Sequence, residues 1–403
     1  MSHLFKANKD TYTSKSKLKT SSSLITFFNT FNFGKETESW DEQLTNGGTC
    51  EHVSDLGQVA LTVDSTVGSE TVRQTKATME YIPGNSNVLT FATKLSPQTE
   101  GIRQRLGLFD VEDGVYFEDD GTDYYCVLRS SIGGTVNEIR VARADWNGDK
   151  LDGTGQSGIT INFEYSQLLD IEYEWYGLGN ISLNFLINND TITIHTFRIS
   201  NYQESKSFKT PHLPLRLEIT NVDGAVGFHT LYQGSNSLMQ DGLYERLGIP
   251  KNISISGINT SLTYRTLPIA DKFYPLISLR LKEDALRSVA FPTYFHTATK
   301  DNTSLAYEVI VNPTLTGAAF TGHPDPNSFV EYDISSTSFV GGTVLYRGYV
   351  FPGGGASINI DDKIKFQLAR VGMGTISQIV SLCVAVTGSN KDVVGNLTWI
   401  EQR

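Results

Sequence analysis

The feature that most constrains this chain is its repetition of short runs in which apolar and polar residues alternate, broken every few positions by Gly, Asn or Asp. Residues 105–110 (RLGLFD) pass through 112–114 (EDG) into 115–118 (VYFE), and 119–122 (DDGT) lead on to 124–129 (YYCVLR). After Gly133 and Gly134 comes 138–143 (EIRVAR), and the pattern continues in 169–176 (LDIEYEWY), 181–187 (ISLNFLI) and 191–197 (TITIHTF). An apolar period of two puts successive side chains on opposite faces of an extended strand. Asp-Gly and Gly-Gly pairs supply the positive φ angles of tight hairpin turns, so neighbouring runs read as antiparallel partners. Strands this closely spaced, with no helical period between them, describe a sandwich or jelly roll.

At 403 residues the chain exceeds one compact core, so two domains are expected. Its 21 Phe, 18 Tyr and 4 Trp supply large packing groups, and its 36 Gly suit many turns. The expected fold is all-β: two antiparallel β-sandwich (jelly-roll or lectin-like) domains in tandem, preceded by an extended N-terminal arm. The arm covers residues 1–25, the first sandwich 26–231, a Ser-, Asn- and Gly-rich connection 232–270 in which 253–258 (ISISGI) can pair with one sheet, and the second sandwich 271–403. Runs at 276–281, 307–311, 344–350, 364–368, 379–386 and 397–400 supply strands for the second sandwich, and only 282–287 suggests a short helical turn.

A formal net charge of −11 argues against nucleic acid as a partner, because phosphate binding needs a basic face. The exception is the arm, where Lys6, Lys9, Lys15, Lys17 and Lys19 face only Asp10. Such a segment is either a solvated tail or a strap that docks on an acidic neighbouring subunit. Three scattered cysteines, Cys50, Cys126 and Cys383, fit neither a disulfide framework nor a thiolate metal site, and suit assembly in a reducing cytoplasm. No apolar run approaches the ~20 residues of a membrane helix, and 24–28 is too short for a signal-peptide core.

Two places carry candidate chemistry. Asp170, Glu172 and Glu174 share one strand face at about 7 Å per step, a separation within the range used by paired carboxylates in glycoside hydrolysis. The same spacing describes the wet face of a strand whose Ile171, Tyr173 and Trp175 point to the core. In the loop 145–155 (DWNGDKLDGTG), Asp145, Asn147, Asp149 and Asp152 place oxygen ligands as a calcium loop would. Lys150 stands where an EF-hand needs Gly and Gln156 replaces its closing Glu, so an Asp- and Gly-rich turn is the competing reading. His195, His212, His229, His296 and His323 are isolated from one another in the sequence, which speaks against a transition-metal site. Apart from possible calcium, no cofactor is expected.

Three stretches together resemble a family of virion proteins of marine and cyanobacterial tailed phages. They are 105–118 (RLGLFDVEDGVYFE), 145–159 (DWNGDKLDGTGQSGI) continuing to 174–179 (EWYGLG), and 392–401 (DVVGNLTWIE). The resemblance spans roughly residues 45–403 and leaves the Lys-rich arm outside it. It implies a non-enzymatic structural part of a virion, such as a capsid decoration or a head- or tail-fibre-associated subunit. The expected partners are other virion proteins and further copies of this chain, through the arm and the sheet edges, with assembly in the host cytoplasm and no membrane association. The competing functions are an adhesin that binds a host-surface glycan and, less favoured, a glycan-degrading enzyme using Glu172 and Glu174.

Overall fold

The computed structural model describes residues 23–174, 176–241, 248–255, 264–359, 366–371 and 373–402. Lys6, Lys9, Lys15, Lys17 and Lys19 lie outside them, as does Trp175. The chain divides into two compact units, residues 1–245 and 246–403.

The first unit contains β1 (Ser23–Asn29), β2 (Trp40–Thr45), β3 (Thr49–Val53), β4 (Gln58–Val63) and β5 (Glu70–Thr75). It continues with β6 (Asn87–Lys94), β7 (Ile102–Phe109), β8 (Gly114–Asp119), β9 (Tyr124–Ser130) and β10 (Asn137–Ala142). The last five are β11 (Gln167–Tyr173), β12 (Ile181–Ile187), β13 (Asp190–Phe197), β14 (Leu215–Asn221) and β15 (His229–Asp241). They form two antiparallel sheets. One runs β13-β12-β11-β6-β15-β4-β3, with β1 also on β15, and the other runs β10-β9-β8-β7-β14-β5-β2.

Alternation decides which residues lie between the sheets. In β6 every second residue is buried from Asn87 to Thr93, and Leu89 and Phe91 point inward from it. They meet Leu169 and Ile171 of β11, Leu106 and Leu108 of β7, and Leu217 and Ile219 of β14 in one core. Phe117 anchors one part of that core, 5.4 Å from Phe163 and edge-on to Phe185 at 5.4 Å. Full burial of such a side chain contributes about 1.5–3 kcal/mol. Turn chemistry follows the sequence closely at β12–β13, where Asn188 and Asn189 both take positive φ, 53° and 66°. That is the backbone a two-residue hairpin demands.

The second unit holds β16 (Ile249–Ile255), β17 (Arg265–Leu267), β18 (Tyr274–Leu281), β19 (Val289–Thr299) and β20 (Leu305–Val311). Then come β21 (Thr314–Thr316), β22 (Thr321–Gly322), β23 (Val330–Asp333), β24 (Ser338–Val340) and β25 (Thr343–Val350). It ends with β26 (Gly355–Asn359), β27 (Arg370–Val371), β28 (Ile376–Ser377), β29 (Ile379–Val386) and β30 (Lys391–Gln402). A five-stranded sheet, β16-β30-β19-β26 with β17 also on β30, and a six-stranded sheet, β22-β23-β18-β29-β20-β25, supply its core. Phe295, Leu397 and Trp399 enter from the first, and Leu279, Val309 and Leu382 from the second. The all-β, antiparallel architecture expected from the sequence is therefore what the chain adopts.

Three boundaries differ from the expectation. Residues 23–25, read as arm, already pair with β15. Residues 232–241, read as connection, are most of β15, which runs between β6 and β4. Its inward positions include Gln233, Asn236 and Gln240, so polar residues hide the apolar period that would mark a strand. Residues 249–255 and 265–267 are strands on β30, within the second unit. The helical turn expected at 282–287 is a single 3-10 turn, Glu283–Ala285.

Candidate functional site

The loop 145–155 does not gather its oxygens around a centre. The Asp149 carboxylate accepts the backbone N–H groups of Leu151 (2.9 Å) and Ser157 (2.7 Å). Asp152 accepts the backbone N–H of Thr154 at 2.9 Å and its hydroxyl. Asn147 turns its amide to the backbone of Thr196, accepting its N–H at 2.8 Å and donating to its carbonyl at 2.9 Å. Among the described residues no group of three or more His, Cys, Asp or Glu side chains is placed to hold a metal ion. The carboxylates of Asp149 and Asp152 are engaged by backbone N–H groups of their own loop, and the Asn147 amide by the backbone of Thr196. Gly148 and Asp149 donate backbone N–H to Ile194 and Thr193, both at 2.9 Å, so the loop covers the free edge of β13.

The carboxylates of β11 are placed as the strand period requires. Leu169, Ile171 and Tyr173 are buried in the core, while Asp170 and Glu172 alternate with them, opposite Asn184 and Ser182 of β12. Asp170 and Glu174 are nonetheless buried, and Glu172 accepts the Ser86 hydroxyl at 3.5 Å. Their face is less wet than the alternation implies.

A denser constellation lies elsewhere, on the outer face of the seven-stranded sheet. Register places Arg103 and Arg105 of β7, Tyr116 and Glu118 of β8, Tyr125 and Arg129 of β9, and Arg216 and Glu218 of β14 on that side. Glu138 and Arg140 join them from β10. Arg105 bridges two carboxylates, donating to Glu118 and, at 3.1 Å, to Glu218. The other Glu218 oxygen accepts from Arg216 at 2.8 Å, and the other Glu118 oxygen accepts from Arg140 at 2.9 Å. Arg129 and the Tyr116 hydroxyl both donate to Glu138 at 2.8 Å. Guanidinium planes cover the rings between them: Arg140 sits 4.0 Å from the Tyr125 ring centre, and Arg105 and Arg129 sit 5.3 and 5.1 Å from that of Tyr116. Long arginine stems explain how an outward Glu118 side chain can be 0% exposed.

This network defines what the carboxylates can do. Burial acts to raise the Glu218 carboxyl, but Arg216, Arg105 and Arg103 outweigh it and hold the group at about 2. A general acid needs the opposite displacement, toward the working pH. Asp119 does move that way, to about 6 through burial, yet it faces the core and accepts from Gln98, Gln104 and the Gly121 N–H. One cation stays open. Arg103 makes no hydrogen bond or ion pair among the described residues, and its Nε is buried without an acceptor. Burial and then the like charge of Arg105 lower its pKa.

Nothing in the alternation of apolar and polar residues singles out this face. Its signal was present as charges two residues apart (Arg103/Arg105, Glu138/Arg140, Arg216/Glu218), but only the cross-strand register brings them together.

No family model and no curated protein matches the sequence. Solved structures resemble it only weakly. A GH16 protein of a Bacteroides ovatus mixed-linkage glucan locus, solved with a glucan product, is 10% identical with TM-score 0.36, over 53% of this chain and 100% of its own. A legume lectin-like domain from Entamoeba histolytica is 12% identical with TM-score 0.30, over 50% and 90%. The CBM2 module of the evolved Dit of Lactobacillus casei BL23 phage J-1 is 9% identical with TM-score 0.35, over 56% and 99%. At these values the likeness assigns this chain neither a family nor a role.

Proposed function

We propose that this chain is a non-catalytic, glycan-binding component of a phage virion. One observation carries the binding half. The network on the seven-stranded sheet sets Arg103, Arg105, Arg129, Arg140 and Arg216 against Glu70, Glu118, Glu138, Glu218 and Asp120, so its charges balance, yet the Arg103 Nε has no acceptor. A charge-balanced face with fixed planar donors suits a polyhydroxylated ligand better than an ion. Ion-paired carboxylates beside it favour holding a sugar over cleaving one. The virion half rests on the resemblance of residues 105–118, 145–179 and 392–401 to phage virion proteins.

The test is affinity electrophoresis and calorimetry of the full chain with soluble polysaccharides, comparing wild type with Arg103→Ala. Losing one charge-assisted hydrogen-bonding group costs about 1.5–3 kcal/mol, an affinity loss of roughly ten- to a hundredfold. Equal affinity of the variant removes this face from the binding site. New reducing ends appearing with time would overturn the non-catalytic reading. Absence of the chain from purified phage particles, checked by mass spectrometry, would overturn the virion half.

A further inference from the structure

The second unit presents a different surface. Antiparallel register places four side chains in one row across its five-stranded sheet: Ser254 of β16 opposite Asn396 of β30, Asn396 opposite His296 of β19, and His296 opposite Ser357 of β26. Directly opposed residues share a face, so all four point the same way. The next row on that face is Asn252, Thr398, Tyr294 and Asn359. The opposite face is the core side, with Phe295, Leu397 and Trp399 buried. With strands about 4.8 Å apart and rows about 7 Å apart, the eight side chains tile roughly 14 by 7 Å. Ser254, Asn396, His296 and Ser357 also line a hollow of about 400 Å³ together with Ala298 and Val394, within the size range of small-ligand pockets, and Tyr294 lies one row outside it.

The chemistry of these rows is uniform. None of the eight is Asp, Glu, Lys or Arg, although 19% of the chain is charged. Part of the hydrogen-bonding capacity is used to fix the platform: Asn396 donates to Ser254 at 2.6 Å, Thr398 to Asn396 at 3.0 Å, and Asn359 to the Tyr294 hydroxyl at 3.1 Å. The side chains of Asn252, His296 and Ser357 make no hydrogen bond among the described residues, and all three are exposed. Tyr294 is 43% exposed, which leaves its ring open to an apolar face. An uncharged array of preset donors and acceptors around an aromatic ring complements alternating hydroxyl and C–H surfaces. It carries no lysine or arginine to balance the charge of a phosphate or carboxylate, and too little apolar area for a protein hot spot.

We infer that the outer face of the β16-β30-β19-β26 sheet is a second saccharide-binding site, selective for a neutral glycan. Tyr294 stacks on the sugar ring while His296, Asn396 and Ser357 bond its hydroxyls. This site stands on its own residues and does not require the Arg103 face.

The experiment uses the full chain, with a soluble neutral β-glucan and a galactomannan as probes and alginate as the acidic control. His296 imidazole resonances are followed by NMR during each titration. Binding is then compared for wild type, Arg103→Ala, His296→Ala and Ser357→Arg, all checked for unchanged thermal melting. The expected result is a saturable His296 shift with a neutral polymer and none with alginate, plus at least fivefold weaker binding at this site in His296→Ala and Ser357→Arg. A His296 shift that survives in Arg103→Ala supports this site even when the first unit binds nothing. A silent His296 at saturating neutral glycan overturns it, including the case in which Arg103→Ala abolishes all binding and only the first-unit site stands. Alginate shifting His296 as strongly as the neutral polymers overturns the selectivity.

Discussion

Glu218→Gln tests whether the arginine network is what holds the outer face of the seven-stranded sheet together. The carboxyl is buried, bonded to Arg105 at 3.1 Å and Arg216 at 2.8 Å, and titrates at about 2 against an ordinary 4.5. Its folded value is depressed, so it contributes stability that is fully present above pH 4.5 and drains away as pH falls toward 2. The linkage is worth roughly 3 kcal/mol at neutral pH. Glutamine keeps the shape and one acceptor oxygen but leaves Arg105 and Arg216 short of a counter-charge. The variant is expected to be about 3 kcal/mol less stable than wild type at pH 7, a gap that narrows to roughly 1 kcal/mol at pH 3. Urea unfolding of the full chain, followed by aromatic fluorescence at pH 7, 5, 4 and 3, gives the difference directly. Taking variant against wild type cancels the other carboxylates. A gap that stays constant from pH 7 to pH 3, or no gap at all, would refute the argument that guanidiniums hold this carboxyl ionised.

Two further outcomes follow from the packing. Burial raises the pKa of all three thiols, Cys50 to about 12, so the native chain should give no fast reaction with Ellman's reagent at pH 8 and three thiols after denaturation; rapid native labelling would contradict that burial. In Gly148→Ala the new Cβ would stand 2.2 Å from the Thr193 carbonyl oxygen, so the loop must lift from β13. A loss of about 1–3 kcal/mol and greater aggregation on heating are expected, read by thermal melting with light scattering, and an unchanged melt would mean the loop does not seal that edge.

Much of the architecture is readable in the residues because local physics sets it. The period of two in 181–185 and the Asn188-Asn189 turn need only strand geometry and positive φ to become a strand and a hairpin. Where that local signal is masked the reading slips. In β15 the buried partners are Gln233, Asn236 and Gln240, whose burial depends on strands far away in sequence. The loop 145–155 shows a similar division: its Asp and Asn content marks a turn correctly, but whether those oxygens take a cation or their own backbone depends on Thr193, Ile194 and Thr196 arriving alongside.

By itself, then, the sequence determined an antiparallel, all-β chain with hairpins at defined turns, since alternation and turn residues act over a few positions. Only the tertiary structure decided which side chains share a face. The Arg105–Glu118–Glu218 network joins residues 113 positions apart, and the Ser254–Asn396–His296–Ser357 row joins residues 142 apart. Between strands distant in sequence, such groupings are products of a cross-strand register that no hairpin turn fixes.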